Sequence, residues 1–269
     1  MPNNNSPIGI FDSGLGGLTV VRALQELLPN ESIVYFGDTG RVPYGSRSPE
    51  VIRKYAREDM DFLLSKNVKM VIAACGTVSS VAADIGNSLD VPFLEVVSPA
   101  AKYSATNTKN KKVGVIGTNA TIRSGSYEKL IQGIDSDIIV FAKGCPLFVP
   151  IVEEGLTSED NVIALETAKH YLLSFAENGI DTLILGCTHF PILKPIISKV
   201  LGDKVDLVDI GFTTAKATAE YLKENNMLSN NNESKCEFYV SDRTAGFSAV
   251  ASRFLGRSID GEIERISLE

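Results

Sequence analysis

The sequence predicts an α/β fold of two pseudo-symmetric lobes with mainly parallel sheets. Three observations lead there. Short apolar, β-branched runs alternate with longer stretches of helical period along the chain. Such alternation builds strand–helix–strand units, and hence a parallel sheet with helices on both faces. An early stretch is echoed later in the same order and at nearly the same spacing. The 269 residues are 44% hydrophobic and 22% charged, which is ample for packed cores. That length fits one large domain or two of about 100–150 residues.

In chain order, the first strand is expected over 7–11, where Pro7-Ile8-Gly9-Ile10-Phe11 runs into a glycine-rich turn, and a helix over 18–28 follows. A strand over 32–36 and a helix over 49–66 come next. The run 70–74 is uniformly apolar, as a strand buried on both faces is, and precedes a helix over 78–88. A strand over 92–96 and a helix over 100–106 end the first set. The second set has strands over 112–117, 137–141, 182–186 and 205–208, with helices over 124–131, 159–178, 192–201 and 213–225. A strand over 237–240 and a helix over 245–255 follow. The polar, Asn-rich stretch 224–234 reads as an exposed loop.

The echo joins Pro7-Ile8-Gly9-Ile10-Phe11-Asp12-Ser13 to Lys112-Val113-Gly114-Val115-Ile116-Gly117-Thr118, 105 residues on. It also joins Val68-Lys69-Met70-Val71-Ile72-Ala73-Ala74-Cys75-Gly76-Thr77 to Ile180-Asp181-Thr182-Leu183-Ile184-Leu185-Gly186-Cys187-Thr188-His189, 112 residues on. A cysteine at the same place in both copies favours duplication over the general likeness of α/β strands.

A net charge of -7 argues against a nucleic-acid footprint or a polybasic membrane patch. Four cysteines are too few for a disulfide scaffold, so a reducing compartment is expected. No apolar run nears the ~18–20 residues of a membrane span. Met1-Pro2-Asn3-Asn4-Asn5 has no signal-peptide character. A soluble, cytoplasmic protein is expected.

Ligands of open parallel sheets sit beyond the carboxyl ends of strands, so the residues after each strand matter most. Cys75 and Cys187 each end a strand run and precede a helix, where the helix dipole is expected to lower the thiol pKa. The bland alternative is packing, since free cysteine is often buried. A zinc site at Cys187-Thr188-His189 is disfavoured, because two histidines and no CxxC pair leave four ligands hard to find. Asp12-Ser13-Gly14-Leu15-Gly16-Gly17 follows the first strand and is neither a P-loop nor a dinucleotide fingerprint. Its Asp and Ser can reach a small substrate. Gly37-Asp38-Thr39-Gly40-Arg41-Val42-Pro43-Tyr44-Gly45 is a second loop after a strand, with a tyrosine expected to be exposed. His189 lies two residues past a candidate thiol, whereas His170, inside a helical run, reads as structural. Cys145 and Cys236 have no evident partner. Glu153 and Glu154 follow an apolar run, and most adjacent acidic pairs are simply solvated.

Six ordered motifs together resemble the glutamate racemases of the aspartate/glutamate racemase superfamily over nearly the whole chain. They are Phe11-Asp12-Ser13-Gly14-Leu15-Gly16-Gly17, Gly37-Asp38-Thr39-Gly40-Arg41-Val42-Pro43-Tyr44-Gly45, Ala74-Cys75-Gly76-Thr77, Gly114-Val115-Ile116-Gly117-Thr118, Cys145-Pro146-Leu147-Phe148-Val149-Pro150 and Leu185-Gly186-Cys187-Thr188-His189-Phe190-Pro191. The resemblance implies a site in the cleft between the lobes, with 1–97 plus 210–269 as a discontinuous first lobe and 98–209 as the second. It implies a cofactor-independent interconversion of L- and D-glutamate that supplies peptidoglycan synthesis, and it leaves a homodimer open. Cys75 and Cys187 match the catalytic thiols. Asp12 and His189 match their polar assistants, and Glu153 an acidic residue near the second thiol. Asp12, Ser13, Pro43, Tyr44, Gly45, Gly76, Thr77, Thr188 and His189 fall where the family holds substrate. No lysine stands where a pyridoxal route would use one, so no cofactor and no metal are expected.

This chain departs from the family pattern at Gly76, where Asn is usual, at Gly40, where Ala is usual, and at Val208-Asp209-Ile210-Gly211. Restoring the amide by Gly76→Asn is therefore expected to be tolerated and to tighten glutamate binding by about 1 kcal/mol. The alternatives are a racemase of aspartate or a hydantoin, and a non-catalytic amino-acid-binding relative. A one-cysteine decarboxylase and a redox protein are weaker readings, given two separated thiols and no CxxC.

Overall fold

The alternating pattern resolves into two all-parallel sheets. The computed structural model describes residues 2–243, 246–259 and 261–268. Ala245, the first residue of the helix expected over 245–255, lies outside them. The first set of elements is β1 (Ile8–Asp12), α1 (Leu18–Leu27), β2 (Ile33–Gly37), α2 (Pro49–Ser65), β3 (Met70–Ala73), α3 (Gly76–Val81), β4 (Phe93–Glu95) and α4 (Val97–Asn107). The second is β5 (Lys112–Gly117), α5 (Asn119–Ser124), α6 (Ser126–Ile134), β6 (Ile139–Gly144), α7 (Phe148–Glu153), α8 (Val162–Asn178), β7 (Thr182–Leu185), α9 (Lys194–Leu201), β8 (Asp206–Asp209) and α10 (Ile210–Glu224). Then come β9 (Cys236–Val240), α11 (Phe247–Leu255) and β10 (Ile263–Arg265).

One sheet has the order β10-β9-β2-β1-β3-β4 and the other β6-β5-β7-β8. The order β2-β1-β3-β4 thus recurs as β6-β5-β7-β8, the architectural form of the sequence echo. The last two strands return to the first sheet, with β9 pairing β2 and β10 pairing β9. In such an order the chain turns back at the central strand, and the crevice opens beyond the ends of β1/β3 and β5/β7.

The strands read as continuous apolar runs because both faces are covered. Along β1, Ile8 and Ile10 join one core while Phe11 joins another, and on β2 Ile33 and Tyr35 part from Val34 and Phe36 in the same way. The larger core also holds Val113, Val115, Leu183 and Ile184 of the second sheet.

Several expected helices divide. The helix expected over 78–88 is α3 followed by a 3-10 turn at Ala83–Ser88, with Ala82 leaving helical geometry at φ -139. The one expected over 124–131 is two helices hinged at Gly125, whose φ of 64 only glycine adopts freely. A 3-10 turn, Phe190–Leu193, starts the segment expected over 192–201. The six-residue α5 and α7 and the three-residue β10 are too short to show a period. Polar caps mark other ends clearly. Asn161 accepts from the Ala164 N–H at the start of α8, and Asp209 from the Gly211 N–H at the start of α10.

Candidate active site

The twelve residues singled out by sequence all line one cavity of about 380 Å³. Asp12 ends β1, and Cys75 lies two residues past β3. Cys187 lies two residues past β7, so the two thiols come from corresponding ends of the two sheets. Both are nearly buried, and all four cysteines are free thiols.

On the first side, Cys75 caps α3 and its thiol donates to Ser13 Oγ at 3.4 Å. The expectation that the helix terminus lowers this thiol's pKa is overturned. Burial, with the Asp12 carboxyl second, pushes it up to about 12. Burial also raises the Asp12 carboxyl, although His189 and the N–H groups of Gly14 and Gly17 oppose this. One turn of dipole is a small effect beside complete desolvation.

On the second side, Cys187 Sγ lies 3.9 Å from His189 Nδ1, and His189 Nε2 lies 3.0 Å from Glu153 Oε1. Burial works to lower the imidazolium, but the hydrogen bonds to Cys187 and Glu153 together outweigh it and carry His189 up to about 10. Glu153 is thus a partner rather than a solvated charge. Gly16 lets His189 in, because a Cβ there would stand 2.7 Å from His189 Nδ1. His170 is exposed on α8, Cys145 is buried, and Cys236 accepts from Gln25 Nε2 at 3.0 Å.

Both shifts link stability to alkaline pH with one sign. His189 holds its proton to about pH 10 in the fold but to 6.5 in a free chain, so its contribution is full below 6.5 and is lost as pH rises toward 10. Cys75 ionises near 9.0 when free and near 12 in the fold, which favours the unfolded chain above pH 9.0. The thermal midpoint is expected to fall from pH 6.5 to 10, and His189→Gln to flatten that slope. An equal slope in the variant would remove His189 as its source.

Tyr44 corrects a sequence expectation. It is 1% exposed, and its hydroxyl donates to Asp38 and lies 3.1 Å from Asp59 Oδ2. Arg41 holds the same two carboxylates through Nε and Nη2. The tyrosine is thus buried rather than exposed, its hydroxyl an anchor under the 42–46 loop.

Gly76 is the second correction. A Cβ at this position would meet the Gly186 carbonyl oxygen at 2.5 Å. Gly186 cannot retreat within its own lobe. Its N–H donates to Ile116 O at 2.8 Å, and a Cβ on it would in turn stand 2.7 Å from that oxygen. The expected tolerance of Gly76→Asn therefore fails on a backbone contact between the two sheets' loops. Backbone conformation is not the obstacle, since Gly76 does not have positive φ.

Thr118 and Asn119 also line the cavity and were not singled out. The echo held the signal for Thr118, because it pairs this residue with Ser13. Thr118 Oγ1 lies 3.1 Å from Thr77 Oγ1 and 3.0 Å from Thr121 Oγ1, a hydroxyl chain across the cleft. Among the described residues no three His, Cys, Asp or Glu side chains converge as a metal site, and no helix is long and apolar enough to cross a membrane.

The profile of the Asp/Glu/Hydantoin racemase family matches residues 11–218. A Geobacter metallireducens glutamate racemase is 45% identical over 264 residues, covering 97% of each chain. The crystal structure of a Francisella tularensis glutamate racemase in complex with D-glutamate superposes with a TM-score of 0.92 at 39% identity, covering 99% of both chains. A Bacillus anthracis glutamate racemase isoform gives 0.94 at 36%, again over 99% of both. With paired thiols at matching strand ends and likeness along its full length, the chain belongs to the Asp/Glu/Hydantoin racemase family, in its glutamate racemase group, and is an isomerase.

Proposed function

We propose that the protein interconverts L- and D-glutamate by proton transfer between two cysteines. The observation that carries this is the placement of Cys75 and Cys187 at corresponding ends of two sheets, lining one cavity. Racemisation takes a proton from one face of the α-carbon and returns one to the other. One base does not reach both faces of a held substrate. In the L-to-D direction the Cys187 thiolate takes the α-proton, so an S–H bond forms as C–H breaks and the electron pair stays on the substrate. The Cys75 thiol then gives its proton to the opposite face and becomes the thiolate. The reverse direction exchanges these roles.

The surroundings fit this division. Burial beside Asp12 keeps Cys75 protonated, ready to donate. His189, charged up to about pH 10, sets a movable proton against Cys187, with Glu153 holding the far ring nitrogen. Ser13, Thr77 and Thr188, with the N–H groups after each strand, are the donors for the carboxylates as charge grows on the α-carbon. Pro43, Tyr44, Gly45 and Gly76 line the same cavity.

The lobes of this reading are 1–97 plus 210–269 and 98–209, supported by the return of β9 and β10 to the first sheet. In this reading the reaction supplies D-glutamate for peptidoglycan in the cytoplasm, as the family resemblance implies. A homodimer belongs to the same reading and is checked by sedimentation.

Circular dichroism with L-glutamate, D-glutamate and aspartate, on reduced protein without added cofactor, tests the activity. Interconversion of both glutamate enantiomers, with exchange of the α-proton into solvent, is expected. A flat signal with both would overturn the proposal. Turnover of aspartate alone would move the substrate to the alternative.

A further inference from the structure

We propose that Arg253 and Phe254 of α11 are positioning residues for the Cys187 side of the site, holding Glu153 and His189 in line; this rests on the two-thiol reading above. Neither residue stands in any motif singled out from the sequence. α11 follows β9 of the six-stranded sheet and packs on α1, whereas Glu153 ends α7, after β6 of the other sheet. The contact therefore ties the two halves of the molecule together.

Arg253 Nη1 donates to Val152 O at 2.8 Å and to Glu153 O at 3.3 Å. These are the last carbonyls of α7, where helical bonding ends; Val152 O also accepts from the Gly155 N–H at 3.1 Å. The chain makes room for the guanidinium. Gly155 has φ +76, and a Cβ on it would stand 2.6 Å from Arg253 Nη2. The Glu153 side chain is half exposed, and its one described partner is His189. Its aim therefore depends on how firmly its backbone is held. Phe254, fully buried, meets the His189 ring edge-on with centroids 4.9 Å apart and planes at 73°. One helix thus fixes the carboxylate's backbone and the imidazole's ring. The titratable groups facing His189 are Asp12 from β1, Glu153 from α7 and Cys187 from the turn after β7. Arg253 reaches His189 only through Glu153.

The chain has two histidines, so NMR reads each imidazole separately, with exposed His170 as internal control. Arg253→Met keeps the aliphatic stem and removes the donors. It is expected to lower the His189 titration midpoint by about one unit, because the hydrogen bond to Glu153 that raises it loosens. His170 should not move. kcat should fall about tenfold with KM nearly unchanged, since the substrate contacts lie on other elements. Arg253→Lys should recover part of both effects. A purely structural clip would lower the thermal midpoint and leave the His189 titration alone.

An unmoved His189 midpoint in folded Arg253→Met overturns the proposal. If that variant does not fold, Arg253→Lys and Phe254→Leu decide: each should shift His189 downward by less, and no shift in either overturns it. Failure of the two-thiol reading looks different. Cys187→Ser would then racemise at near wild-type rate, while the His189 titration in the Arg253 variants would be unaffected by that result.

Discussion

Cys75→Ser and Cys187→Ser are each expected to lower racemisation by about 10²–10⁴-fold or more, because each removes one member of a relay that needs both. A serine hydroxyl fits the same space but is far too weak an acid to be the thiolate's replacement at neutral pH. Cys75 has a second disability to lose. Its thiol is already held up to about 12 by burial and by Asp12, so the proton it donates is delivered from a desolvated site. The two variants should be close in size of effect, since net racemisation in either direction passes through both thiols. Progress curves from each enantiomer, followed by circular dichroism, check this. Near wild-type turnover by either variant, in both directions, would remove that cysteine from the mechanism.

Gly76→Asn is expected to lower kcat/KM by about 10²-fold, the scale on which a misplacement of about 1 Å acts in an active site. The collision is made by the Cβ, 2.5 Å from the Gly186 carbonyl oxygen. Gly76→Ala should therefore cause most of the loss without any amide. Gly186 is braced from behind by Ile116 O, so relief comes only by parting the two sheets' loops. Parting them moves Cys75 away from Cys187, which follows Gly186 directly. Overpacking of this kind also costs about 1–3 kcal/mol of stability. Steady-state kinetics and thermal melts on both variants check this. A lower KM in Gly76→Asn with an unchanged thermal midpoint would show that the loops yield and that the amide reaches the substrate.

Gly45 makes a related approach, since a Cβ there would stand 3.1 Å from Thr118 Cβ. Gly45 and Gly76 both follow strands of the six-stranded sheet, and their neighbours Thr118 and Gly186 follow strands of the four-stranded one. Such contacts leave no trace in the sequence around Gly76. A missing side chain reads as a missing function until the backbone opposite it is in place. The burial of Tyr44 is hidden from the sequence for a similar reason. A loop rich in turn residues suggests exposure, yet Arg41 and Tyr44 converge on Asp38 and Asp59, and Asp59 comes from α2.

By itself the sequence determined what local pattern can carry. The strand–helix alternation, the duplication and the two cysteines after matching strands follow from periodicity and spacing, because backbone hydrogen bonding and burial impose those periods residue by residue. Asp12, Ser13 and His189 followed from standing at or just past strand ends, whereas Thr77 and Thr188 came only with the family resemblance. Only the tertiary structure decided which groups meet across more than one element. It joined Glu153 to His189 over 36 residues of chain and Arg253 to Glu153 over 100. It set Gly76 against Gly186 and divided the helices at Ala82 and Gly125. It also reversed the direction expected for Cys75. Desolvation depends on everything packed around a group, whereas the helix dipole depends on one turn of neighbouring chain, and in this fold the packing is the larger influence.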